Sequence, residues 1–524
     1  MYKKYYQRLN QLSQNDPRRL FQNNLIGLEK ESLRVNREGR ISEIPHPVAL
    51  GSPLTNPYIT TDYSEAMLEI ITPPHNNVQQ ALNFLRNTQK YVYQNLQDEI
   101  LWATSMPCII AGETSIPIAQ YGKSNAGKMK SVYRHGLGLR YGREMQVISG
   151  VHFNFSFSDE FWDFYKDIEQ SDLHRQDFIS DSYFQLIRNL QRFGWLVPYL
   201  FGASPAVCKS FLGGKPSSLD EFDIGTFFQP YATSLRMGDI GYQNNKENEI
   251  GIKACYKDID AYIQSLTFAI QTSVKEYEEL GLKKDGEYIQ LNTNILQIEN
   301  EYYSTIRPKQ LLNDNEKPTS ALQKRGVKYV ELRSLDVNAY DPLGVNESQI
   351  YFLEAFLIFC LLHESQIFRL DKRWEIDHNE MLVAHRGRFP QLKLRHEDKD
   401  IYLRDWANEI CENMYALCEL LDLKVEGEPY TQALTRQINK INDPELTPSA
   451  KMLAEMTENE DSFHRFASRM SKLHQHYFKN ISLTETENNF FTKLAKESLD
   501  KQIKIEENDK IGFDEYLNNY FSQT

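Results

Sequence analysis

Basic residues are scarce in this 524-residue chain: 59 lysines and arginines stand against 72 acids, a net charge of −13. No phosphate-neutralising surface is evident, which disfavours a nucleic-acid partner and leaves a small-molecule one as the better fit. Long apolar runs are missing too. The longest, 193–208 and 351–362, are short or broken by Pro198, Pro205 and Glu354, so they predict buried core and no membrane span. The opening MYKKYYQRLNQLSQNDPRR has charge but no apolar stretch of signal type, so export is not expected and a soluble, cytoplasmic protein is. Cysteine is thin: Cys108, Cys208, Cys255, Cys360, Cys411 and Cys418 include no CxxC pair, which predicts reduced thiols. Cys411 and Cys418, seven apart in a helical pattern, predict core packing.

The common nucleotide and hydrolase signatures are absent as well. GLGLRYG (136–142) is not GxGxxG, and GGKPSS (213–218) lacks the upstream glycine of a P-loop and has Pro216 where Ser or Thr is required. His363-Glu364 is followed by no second histidine, and there is no GxSxG elbow. A Rossmann or P-loop enzyme, a zinc protease helix and an α/β-hydrolase nucleophile are thereby disfavoured. No internal repeat, low-complexity tract or long Gly/Ser linker occurs, which argues against separately tethered modules. Length alone allows two to four domains or one elaborated domain.

What is present changes character along the chain. Before residue 340, strand-like alternation is separated by helical spacing at 79–97, 182–199 and 258–280. After Pro342, helical spacing recurs at 347–368, 401–421, 461–478 and 484–507. The economical reading is an α+β fold: a catalytic sheet-and-helix body over 1–340, and a mainly helical C-terminal part, 341–524, packed on the same body.

Five segments gather acids, one histidine and three arginines: GLEKESLRVN (27–36), TTDYSEAMLEIITP (60–73), SGVHFNFS (149–156), YATSLRMGDIGY (231–242) and VELRSLDVN (330–338). Several carboxylates can hold anionic phosphates only through divalent cations, so this set suggests a multi-metal phosphoryl-transfer site. If 25–35 is a strand, Glu29 and Glu31 share a face about 6.6 Å apart, close enough to ligate adjacent metals; taken alone, the segment reads more readily as a solvated edge strand than as a site, and Arg34 falls on the other face. In 145–157, Val151, Phe153, Phe155 and Phe157 point one way and His152, Asn154 and Ser156 the other; a lone histidine is more often a hydrogen-bonded structural residue than a ligand. Glu331 and Arg333 share a face with Val327 and Tyr329, pairing a carboxylate for a metal with a guanidinium for a phosphate, or forming an ordinary ion pair. Asp62 is expected at a turn and Glu69 on a strand.

Together with SMPCIIA (105–111), AQYGKSN (119–125), RFGWLVPYLFGASPAVC (192–208), PYATSLR (230–236) and LQIENEYYSTIRPK (296–309), these segments closely resemble the glutamate–cysteine ligase family of the proteobacterial type, from about residue 27 to 360. The resemblance implies a curved antiparallel sheet akin to the catalytic domain of glutamine synthetase. It implies ATP-dependent joining of the glutamate γ-carboxylate to the cysteine amine through a γ-glutamyl phosphate, with two or three magnesium ions. By matching positions it implies a metal set of Glu29, Glu31, Asp62, Glu69, His152 and Glu331, with Arg333 on the transferring phosphoryl group and Arg236 on the substrate α-carboxylate. Tyr63, Tyr133, Tyr242 and Tyr303 resemble the amino-acid pocket, or would otherwise be core tyrosines. Tyr63 stands where phenylalanine is expected, and His135 in YRHGLGLRYG replaces an acid. No second, ATP-grasp module follows, and a monomer is expected.

Overall fold

Leu25–Val35 places Ile26 and Leu28 on one face and Glu29 and Glu31 on the other, as in a strand with one face in a core. In the computed structural model, which describes residues 2–241, 253–367 and 370–523, it is central to a seven-stranded sheet. The strands are β1 (Leu25–Val35), β2 (Ile59–Thr61), β3 (Met67–Ile71), β4 (Ile100–Leu101), β5 (Gly150–Ser156), β6 (Ile306–Lys309) and β7 (Tyr329–Asp336). Their order is β6-β7-β5-β1-β3-β2, with β4 paired to the end of β1, and every pairing is antiparallel. The strand expected over 145–157 is shorter, because Met145–Val147 forms a 3-10 turn before β5 begins.

Register sorts the two faces. Leu28, Phe153 and Leu332 lie in one row across β1, β5 and β7, and Ile26, Phe155 and Val330 in the next. All six face the main hydrophobic core. Helices cover this side: Val78–Asn95 lies against β1 and β3, and Arg175–Phe193 against β6. Behind both runs Glu347–Leu362, buried continuously from Gln349 to Leu362, which is why it lacks a polar face; it opens with a capping box between Asn346 and Gln349. After it come Leu370–Arg386, Leu403–Asp422, Pro429–Asn442, Pro448–Glu458, Phe463–Asn480, Glu485–Asn508 and Phe513–Phe521. The helix expected from 401 starts at Leu403 because Ile401 pairs with Leu394 in a hairpin of Lys393–His396 and Lys399–Tyr402. Among the described residues no helix is long and apolar enough to cross a membrane.

One sequence expectation about side chains comes out differently, and one left open is decided. Reduced thiols were expected throughout, yet Cys108 and Cys208 form a disulfide, their segments brought together in a second core cluster with Cα atoms 5.5 Å apart; a sequence separation of 100 residues conceals that proximity. Cys411 and Cys418 are buried in one helix as core residues. Arg34, left open between a structural role and others, is structural. Its guanidinium donates to Glu99 Oε1 at 2.6 Å and to the carbonyls of Ile44 and Glu65 at 2.8 Å.

Arg34 and Glu99 are 0% and 3% exposed, so removing one partner strands a charge where water cannot reach it. Glu99→Ala should therefore lower unfolding free energy by about 3–5 kcal/mol. Arg37→Ala, which breaks the exposed Arg37–Asp98 pair, should change it little. Chemical denaturation of the two variants checks the contrast; equal losses would remove the special status of Arg34.

Candidate active site

The face of the sheet opposite the core carries the acids. Directly cross-strand pairs are Glu29 with His152, Glu31 with Glu69, and Glu331 with Asn154. His152 Nδ1 lies 3.0 Å from Glu29 Oε2 and 3.6 Å from Glu331 Oε1, and its Nε2 lies 3.6 Å from Glu31 Oε1. Asn154 donates to the other oxygen of Glu29 at 2.8 Å, and the Gly150 amide donates to Glu31 at 2.6 Å. Asp62 follows β2, as expected, at a break in the strand. Arg134 donates to its carbonyl oxygen, and Tyr121 Oη sits 3.0 Å from the same atom.

Like charges directly opposite one another in a sheet repel, and burial raises the cost. The cluster responds by dividing. Burial, together with Glu29, Asp62 and Glu31, pushes Glu69 well above the usual carboxylate range, and burial pushes Glu31 up as well. Burial also opposes ionisation of Glu331, but Lys309, Arg333 and His152 outweigh it and hold that carboxyl well below the usual range. Burial is likewise outweighed at Glu29, chiefly by the His152 hydrogen bond. One ligand atom each from Glu29, His152 and Glu331 lie within 4.8 Å of one another. Hard oxygens with one imidazole, converging in a buried site, fit a divalent cation such as magnesium.

Arg333 reaches this face by the same alternation as Glu331, and an irregularity follows it. Leu332 pairs with Phe153 but Leu335 with Val151, so β7 carries an extra residue at the bulge, a device that re-aims side chains. Arg333 Nη1 lies 3.2 Å from Glu331 Oε1. Arg236 donates to the Arg333 carbonyl at 2.9 Å and lies 3.5 Å from Asp336. A side chain at Gly150 would collide with its guanidinium, so glycine there makes the close approach possible.

These groups line one cavity of about 440 Å³, within the range of small-ligand sites. It gathers Glu29, Glu31, Asp62, Glu69, His152, Glu331, Arg333 and Arg236 with Tyr63 and Tyr133. Tyr303 does not line it; its hydroxyl faces Met237 Sδ at 3.7 Å. Tyr242 falls outside the described residues. His135 turns to the Ile289 carbonyl at 2.9 Å.

Sequence reasoning missed several lining cations. Arg307 and Lys309 stand one residue apart on β6, so period two puts both on one face; Arg307 pairs with Glu331, and Lys309 Nζ lies 3.4 Å from Glu331 Oε2. Lys130 and Arg134 occupy one face of the helix Asn125–Tyr141 with Tyr133 and Leu137. Their i, i+4 spacing was the available signal, masked by the glycines of that segment.

Comparison with known proteins identifies the family. The glutamate–cysteine ligase family model matches residues 9–383. The glutamate–cysteine ligase of Alcanivorax borkumensis is 46% identical over 501 residues, 94% of this chain and 95% of its own length. That of Pseudomonas putida is 46% identical over 513 residues, 98% and 97% respectively. The crystal structure of the Francisella tularensis glutamate–cysteine ligase in complex with AMP superposes with a TM-score of 0.89 at 38% identity, covering 95% of this chain and 97% of that one. A bifunctional glutathione synthetase from Pasteurella multocida shares the fold, with a TM-score of 0.73 at 23% identity over 94% of this chain and 58% of that one.

Because Glu31 and Glu69 are held toward their protonated forms without a cation, a divalent ion that they help to ligate must displace protons. Titrating metal-free protein with magnesium at neutral pH should release protons, read by calorimetry as a heat that changes with the buffer's ionisation enthalpy. A heat independent of buffer would place both residues outside the metal shell.

Proposed function

The chain belongs to the glutamate–cysteine ligase family and forms γ-glutamylcysteine from glutamate and cysteine at the expense of ATP in glutathione biosynthesis, and we propose that the acidic cavity is where it does so. The observation that carries this placement is the convergence of five carboxylates, His152, Arg333 and Arg236 on one cavity over the sheet. A carboxylate is a poor electrophile. An oxygen of the glutamate γ-carboxylate attacks the γ-phosphoryl group of ATP, releasing ADP; the cysteine amine then attacks the acyl carbon and expels phosphate.

Each residue has a part in that sequence. Glu29, His152 and Glu331 would hold one magnesium ion, and Glu31, Asp62 and Glu69 supply ligands for one or two more. Bound magnesium offsets the negative charge of the phosphates. Arg333, steadied by Glu331, presents a planar donor pair to the phosphoryl group in transfer. Arg236, braced by Asp336 and the Arg333 carbonyl, holds the substrate α-carboxylate. Tyr63 and Tyr133 bound the amino-acid end; a side chain at position 138 would run into the Tyr63 hydroxyl, so Gly138 lets that ring pack in. Lys309 joins the set as a second cation beside Glu331.

The same reading extends to the whole chain. We take the sheet to be of the curved, glutamine synthetase type, with a body over 1–340 and a mainly helical part over 341–524. One continuous core, from Leu28 and Phe153 through Phe356 to Leu434, supports packing of both on a single body. Cytoplasmic location and a monomeric state complete the proposal.

Purified protein given ATP, magnesium, glutamate and cysteine should yield ADP and a dipeptide of γ-glutamylcysteine mass. Glu331→Gln, which removes one negative charge at nearly constant volume, should lower kcat by about 10²- to 10³-fold, as expected when one pre-organised charge-stabilising element is lost. Arg333→Lys should also be damaging, since an ammonium cannot reproduce the planar two-point contact. Near-parental turnover of Glu331→Gln at saturating magnesium would sink the site assignment.

A further inference from the structure

The family match ends at residue 383, yet the far C-terminus of the chain returns to the cavity. Tyr516 and Tyr520, one turn apart on the helix Phe513–Phe521, are among its lining residues. The helix is fastened at several points. Asp514 accepts from Tyr288 Oη at 2.6 Å, and Lys128 lies over the Phe513 ring at 5.0 Å. Upstream, Asn125 Nδ2 donates to Asp509 at 2.6 Å. Downstream, Gln523 donates to the Asn315 carbonyl at 2.8 Å. Leu517 is buried against Met129, Val132 and Leu291, and this small cluster takes in Tyr133, Tyr516 and Tyr520 at its edge. Tyr516 Oη donates to Asn315 Oδ1 at 2.8 Å, tying the helix to the loop that follows β6.

The cavity therefore has two chemically opposed walls. The sheet supplies acids and cations suited to phosphates and carboxylates. The C-terminal helix, with Tyr133 and Met129, supplies aromatic and thioether surface, with Lys130 and Arg134 at its border. We propose that this helix is a wall of the active site, and that the rings of Tyr516 and Tyr520 contact an uncharged, polarisable part of a bound substrate. Two substrate groups share that chemistry: the thiol-bearing side chain of cysteine and the purine of ATP. The inference rests on the placement of the reaction in this cavity.

Steady-state kinetics on the full-length protein test it, with KM for cysteine and KM for ATP measured separately. The Tyr516→Ala/Tyr520→Ala double variant should raise one of the two by about tenfold, equivalent to roughly 1.4 kcal/mol, with a much smaller change in kcat. Tyr516→Phe and Tyr520→Phe, which keep the rings, should leave both KM values near the parent's. A rise confined to cysteine assigns the rings to the thiol side chain, and one confined to ATP assigns them to the purine. Unchanged KM values for both substrates, whether or not kcat falls, would overturn the proposal. So would phenylalanine variants as impaired as the alanine one, since the rings would then not be the contact. If the double variant does not fold, Tyr520→Ala alone gives the same reading. Failure of the wall is distinguishable from failure of the site: in the first case Glu331→Gln is inactive while the tyrosine variants bind normally, and in the second Glu331→Gln itself retains turnover.

Discussion

The pairing of Glu29 with His152 and of Glu31 with Glu69 is the constraint from which the rest of the structure follows. Side chains on a strand alternate between faces, so a one-residue slip of β1 would drive both glutamates into the packed core and bring Leu28 and Lys30 to the cavity. The register is held from the apolar side. Phe153 and Phe155 on β5 meet Leu28 and Ile26 on one flank and Leu332 and Val330 on the other, rows of large side chains with no alternative seating. The core thus fixes the coordinates of a charged cluster that would, left to itself, fly apart.

Behind the cavity walls, further buried charge does positional work. The helix Asn125–Tyr141, which carries Lys130, Tyr133 and Arg134, is anchored at its end by Arg140. That guanidinium donates to Glu301 at 3.0 Å and to Gln290 at 2.8 Å, and lies 4.1 Å from the centre of the Tyr277 ring. Tyr141 adds a 2.6 Å hydrogen bond to the same Glu301 oxygen. A buried ion pair is weak evidence for stability but a strong directional restraint when its remaining donors are satisfied. Here it fixes the angle at which one face of the helix meets Asp62. Lys30 shows the opposite case: placed on the core face with Gln89 at 2.8 Å, its ammonium is drawn down to about 7 by burial, against the opposing pull of Asp341.

Much of this was legible in the sequence, for a definable reason. Period-two alternation in 25–35 and 149–156 says which residues of one strand share a face, and the fold keeps those faces; grouping Glu29, Glu31, His152 and Glu331 across strands came from the family resemblance. What alternation could not supply is anything set by a departure from regularity or by distant docking. The bulge in β7 after Arg333 returns Leu335 to the core face, which a simple period does not announce. Lys130 and Arg134 sit on a helix whose glycines obscure it, and Cys108 meets Cys208 only once the whole fold is assembled. Tyr516 and Tyr520 are further still from view, because an amphipathic nine-residue helix at the end of a chain carries no mark of where it will dock.

That distance in sequence has a physical consequence for how the site is built. The acidic wall is made of strands whose pairings are buried and mutually dependent, so it can hold a costly charge arrangement in place. The opposite wall is a short helix fixed mainly by side-chain contacts at its ends and by Leu517. Such a helix, below the length at which helices are stable alone, owes its order to the surface it covers. If substrates fill the space between the two walls as proposed, they add contacts to the weaker one in proportion more than to the stronger. Binding energy is therefore expected to tighten the C-terminal helix onto the cavity while leaving the sheet unmoved, a division of labour between a rigid charged floor and an adaptable aromatic wall.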